Sequence, residues 1–116
     1  MKEIKAYMHA NRIGDVIAAL EESGFVRVGA AAGVRNFNVT AVQGLLKPID
    51  GAEERYSMTL GEAVIDEVRL ECLCEDDQVM AMAEIIGRHA RTGQAIAGWI
   101  TVTEVILAVP IGGTRA

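Results

Sequence analysis

Aromatic side chains make up only 4% of these 116 residues, so any core must be built from aliphatic and small groups. A core of that kind leaves apolar surface uncovered, which favours association between copies. Positive charge is also scarce: 11 Lys and Arg stand against 16 Asp and Glu, for a formal net charge of −5. That balance lacks the basic face a phosphate backbone requires, and no nucleic-acid partner is expected. No apolar run reaches the roughly 18 residues of a membrane-spanning helix, so no direct membrane insertion is expected. The opening MKEIKAYMHA alternates charged and apolar residues without a signal-peptide core, which makes a cytoplasmic location the default. There are two cysteines, Cys72 and Cys74. Their spacing is awkward for a disulfide, and reduced thiols are expected.

What is present is a 51% hydrophobic chain of about the modal domain size. One domain is expected over residues 1–112, with a loose tail at 113–116. Residues 2–9 alternate with period two, placing Lys2, Ile4, Ala6 and Met8 on one side of a strand. Asn11 is positioned to cap a helix with Asp15 in its first turn. Ile13, Val16, Ile17 and Leu20 form its apolar stripe, and Ser23-Gly24 stops it. Residues 25–36 show no clear period and read as a loop. Gly29 to Gly33 lacks the Gly-Lys-Ser/Thr ending of a phosphate cradle. A second strand runs from Phe37 to Gly44. Residues 47–61 read as a long loop, of a length usually tied to function or disorder.

The third strand, roughly 62–75, is the clearest: Val68, Leu70, Cys72 and Cys74 share one face, Arg69, Glu71 and Leu73 the other. A second helix is expected from an Asp76-Asp77 cap to Thr92-Gly93, burying Val79, Met82, Ala83, Ile86 and Ala90. Trp99 to Ile106 form the last strand. The order βαββαβ predicts an α+β, ferredoxin-like fold: an antiparallel sheet with both helices on one face.

Residues 88–105, RHARTGQAIAGWITVTEV, carry the functional signal. A helix end, a small-residue turn and a β-branched strand put backbone N–H groups at a sheet edge, a place suited to a small anion. Thr92, Gly93 and Gly98 could present those groups, with Arg88 and Arg91 one turn earlier. The alternative is that Gly93 only terminates the helix and the arginines are solvated. Cys72 and Cys74 lie about 6.6 Å apart by strand rise and, with His9 or His89, allow a metal reading. Small buried hydrophobes are the competing reading of the thiols. Asp66, Glu67 and Glu71 have no nucleophile or base beside them, so no catalytic residues are assigned and an enzyme is not expected.

The runs MKEIKAY with NRIGDVIAALEESG, VTAVQG, VRLECLCEDD and ARTGQAIAGWITVTEV resemble the PII signal-transduction family, the nitrogen-regulatory trimers. The resemblance covers nearly the whole domain, with an insertion of about nine residues at 25–36. It implies a homotrimer with effector clefts between subunits, where family members bind adenine nucleotides and 2-oxoglutarate. It also implies a long T-loop, here 45–64, that engages a target transporter, enzyme or regulator. On this basis the effector-binding set is Gly44, Arg88, Arg91, Thr92, Gly93, Gln94 and Gly98. The partner-binding set is Lys47, Asp50, Glu53, Glu54, Arg55 and Tyr56.

The departures bear on the ligand. The family's two phosphate-binding lysines fall on Gln94 and Trp99, a further basic pair on Leu107 and Val109, and the T-loop lysine on Glu67. Its metal- and 2-oxoglutarate-holding glutamine falls on Pro48 and its modifiable tyrosine on Leu60. With those cations gone, an adenine mono- or diphosphate, or another small anion, is expected in place of ATP. A metal-binding trimer of the CutA type, sharing the βαββαβ plan, is the alternative.

Overall fold

The computed structural model describes residues 1–26 and 34–112; the centre of the 25–36 insertion and the 113–116 tail lie outside them. The elements in chain order are strand β1 (Lys2–His9), helix α1 (Ile13–Glu22) and strand β2 (Arg35–Gly44). Strands β3 (Glu54–Ser57) and β4 (Glu62–Cys74), helix α2 (Val79–His89) and strand β5 (Gly98–Glu104) follow. The sheet is antiparallel, in the order β2-β4-β1-β5, with β3 paired to β4 off that path. This is the expected ferredoxin-like α+β arrangement with one strand added.

Alternation in the sequence decides the faces. Ile4, Ala6 and Met8 of β1 lie beside Cys72, Leu70 and Val68 of β4. All six are buried against Val16 and Leu20 of α1 and Val79, Met82 and Ile86 of α2. Each large aliphatic group withdrawn from water there contributes roughly 1.5–3 kcal/mol. The opposite face carries Glu3, Lys5 and Tyr7 beside Leu73, Glu71 and Arg69, half-buried and mixed in charge.

Helix ends differ from the expectation. Asn11 does not cap α1; it sits in a 3-10 turn over Ala10–Arg12, with no side-chain cap. The C-terminus does close at Ser23-Gly24. Gly24 has φ +82, its N–H donates to Glu21 O, and Phe25 N–H donates to Leu20 O, the paired bonds of a Schellman ending. The cap before α2 is not Asp76-Asp77 either. Glu75 and Gln78 form a reciprocal capping box, while Asp76 is drawn to the chain's amino group at 2.9 Å. That hydrogen bond holds the Asp76 carboxyl below its usual range and lifts the terminal amine above its own. Helix α2 ends at His89, not at Thr92-Gly93, and its last carbonyl accepts from Arg12 at 2.9 and 3.2 Å.

The strands also shift. β2 begins at Arg35, two residues early, because a bulge between Arg35 and Asn38 precedes the regular alternation. Asn36 takes φ 52 there, which Asn tolerates better than most residues. β5 stops at Glu104, short of Ile106. The largest difference is within 47–61: Glu54–Ser57 is not loop but strand, making a hairpin with β4.

Both thiols are fully buried on the helix-facing side, as alternation implied. Desolvation pushes Cys72 from an ordinary 9.0 up to about 12. The native protein should therefore react with a thiol reagent only as fast as it unfolds, against immediate reaction in denaturant. Because the folded value is raised, the associated stability is complete below pH 9 and declines as pH rises from there towards 12. A denaturation midpoint that stays constant across that window would contradict this assignment.

Candidate functional site

Between the end of α2, the 91–97 segment and the β1–β5 pair lies a cavity of about 380 Å³, lined among others by Tyr7, Ile86, Arg91, Gln94, Ile96 and Trp99. Its position follows from two glycines. Gly93, at φ +90, allows the chain to turn after the helix. Gly98 opens β5 where a Cβ would fall 2.0 Å from the Tyr7 carbonyl oxygen, so only glycine lets β5 close onto β1 at Met8↔Gly98.

The segment is held by one side chain. Thr92 Oγ1 donates to Gln94 Oε1 at 2.7 Å, and Gln94 Nε2 donates to the carbonyls of Lys47 and Pro48 at 2.9 and 3.2 Å. Gln94 thus joins the cavity rim to the start of the 45–64 segment. That start is tied a second time beneath the sheet. Glu67 is buried, and its Oε2 accepts from Leu46 N–H at 3.0 Å. A Cβ on Gly44 would sit 1.6 Å from that oxygen.

The anticipated effector residues therefore divide. Arg91, Gly93, Gln94 and Gly98 line the cavity, and Thr92 orients Gln94 from beside it. Arg88 points along the outside of α2 to Glu84 at 2.6 Å and does not line it. Gly44 belongs to a separate pocket of about 110 Å³ beneath the 45–48 segment. Arg91 supplies the single formal charge among the lining residues.

The anticipated partner residues divide as well. Lys47 and Asp50 are exposed, although the Asp50 side chain accepts from Ala52 and Glu53 N–H. Arg55 pairs with Asp66 at 2.8 Å, and Glu54 and Tyr56 are exposed. Glu53 is different: its Oε2 lies 2.5 Å from Nδ1 of the fully buried His9, and its Oε1 accepts from Ile49 N–H at 2.7 Å. It is an internal fastener, not a solvated charge. Sequence reading missed this, as it missed the exposed hairpin tip Met58 and Leu60. The only available signal for the tip was two apolar residues inside a polar, glycine-bounded stretch.

A metal centre is not assembled from the residues considered for it. His9 lies on the sheet face of Glu3, Lys5 and Tyr7, covered there by Glu53, while both cysteines face the helices. Among the described residues no group of three or more His, Cys, Asp or Glu is placed to hold an ion. No described helix is long and apolar enough to cross a membrane.

A nitrogen regulatory protein P-II from Porphyra purpurea is 29% identical to this chain over 105 residues, spanning 90% of the chain and 86% of that protein. The likeness supports PII kinship. No protein-family model matches the chain. The similarity extends over most of both chains, which suggests a PII-like regulator at the level of general role.

Proposed function

We propose that this chain is a PII-like signal-transduction regulator, not an enzyme, in which a small anionic effector enters the 380 Å³ cavity and alters the 45–64 segment. The observation that carries this reading is Gln94. Gln94 lines the cavity, and its amide holds the carbonyls of Lys47 and Pro48. An effector that takes over the amide N–H groups removes the grip on the segment; one that leaves them in place retains it. Differential binding to the two arrangements shifts their populations, and the target protein reads the exposed face of the segment.

The working unit is a homotrimer with cavities completed where neighbours meet. Ile106, Leu107, Val109 and Ile111 are 70–104% exposed in the single chain, apolar area that association would cover. Sedimentation as a lone monomer at working concentration would remove this part of the reading. The target, a transporter, an enzyme or a transcription regulator as PII kinship implies, would meet the Met58–Leu60 tip and nearby Tyr56, all exposed.

Gln94→Ala tests the link. Amide exchange at Leu46 and Ile49 should be slow in the parent protein, because both N–H groups are bonded. In the variant it should rise by about tenfold, the effect of losing roughly 1.4 kcal/mol of local restraint. A nucleotide that changes exchange in the parent should no longer do so. Unchanged exchange and a retained nucleotide response would remove Gln94 from the mechanism.

A further inference from the structure

The geometry points to a ligand that carries one anionic group on an apolar body, an inference that rests on the cavity being the effector site. Three observations converge. First, Arg91 is the single charged residue among those lining the cavity, and it makes no ion pair among the described residues. A planar guanidinium of that kind matches one carboxylate or one phosphate group. Second, the neighbouring Gln94 amide carries no charge, and its Nε2 and Oε1 hold contacts within the protein that a ligand would have to displace. A second or third phosphate would find no fixed cation, and each uncompensated charge drawn into the cavity carries a desolvation cost. Third, the remaining wall is apolar, with Met8, Ile86 and Ile96 contributing to it. Trp99 pairs with Tyr7, so its ring, 61% exposed, lies on the other sheet face at the edge of the cavity.

Trp99 is also the chain's one tryptophan, so its indole N–H gives a single, assigned NMR signal. The test is a titration of the full chain, followed at that signal, with phenylacetate, its neutral isostere phenylacetamide, AMP, ATP and tripolyphosphate. Phenylacetate should bind about tenfold tighter than phenylacetamide, and AMP tighter than ATP, while tripolyphosphate leaves the indole signal unmoved. Comparison of the phenylacetate and AMP arms separates a carboxylate ligand from a phosphate one. Arg91→Gln should abolish the preference for phenylacetate over its amide, and Arg91→Lys should keep most of it. Arg91 is exposed, so neither change threatens the fold.

ATP binding more tightly than AMP, an acid-to-amide ratio that survives Arg91→Gln, or no response to any probe would each overturn the inference. An indole signal that moves only on dilution of the protein would do the same, since a second copy would then own that surface. The two levels of the reading fail separately. Tight ATP binding that alters exchange in 45–60 would sink the ligand class and keep the regulator. Phenylacetate or AMP binding that leaves the exchange unaltered would do the reverse.

Discussion

Gly98→Ala should cost about 3 kcal/mol or more of folding stability and open the β1–β5 pair beside the cavity. The added methyl would lie 2.0 Å from the Tyr7 carbonyl oxygen and 3.1 Å from its carbon. Both are backbone atoms at the end of the β1–β5 ladder, so no side-chain rotation relieves the overlap. The strands must separate, and the Met8↔Gly98 end of the register is the end that walls the cavity. Urea denaturation should show the loss, and ligand titration should show a cavity that no longer binds. Gly93→Ala provides the comparison. It meets no atom within 4 Å but holds φ +90, so its penalty is the backbone one of about 1 kcal/mol. Equal stability of the two variants would refute the account of Gly98.

Glu53→Ala should be the second large effect, and it tests a residue that the resemblance places in the partner-binding set. Removing the carboxylate leaves buried His9 without its Nδ1 partner, while its Nε2 already has none among the described residues. An abandoned buried polar group costs about 1–3 kcal/mol. The same carboxylate holds Ile49 N–H through its other oxygen, so the 49–53 stretch should loosen together with the core. Glu53→Gln keeps an acceptor and should recover part of the loss. Glu54→Ala next door, on an exposed side chain, should stay within about 0.5 kcal/mol of the parent. If the Glu53 and Glu54 substitutions proved alike in thermal unfolding, the buried fastening would be wrong.

How much of this was readable in advance depended on whether the signal was local. The alternation through Val68, Leu70, Cys72 and Cys74 marks β4 because one face of that strand is buried along most of its length. The stripes of both helices were legible for the same reason. β3 was not, because Glu54, Arg55 and Tyr56 are exposed and only Ser57 is buried. Its strand form is imposed by hydrogen bonding to β4, not by its own pattern. The true caps at Glu75 and Gln78 lay one residue either side of the more conspicuous Asp76-Asp77 pair. At the site, the resemblance located the 91–98 segment, but Gln94 read as a lost lysine. Its role depends on carbonyls 46 and 47 positions away. Glu53 and His9 are 44 positions apart, and nothing local to either advertises the other.

The thirteen residues of β4 make one uninterrupted rod, about 43 Å long at the usual rise. Its far half, from Cys74 back to Glu67, is clamped to β1 within the core, whereas its near half at Glu62–Ile65 is bordered by β3. The hairpin tip is therefore a cantilever: its amino acids can be exchanged for others without disturbing the anchored end. Recognition could be rewritten there residue by residue, on a scaffold whose folding would not register the change.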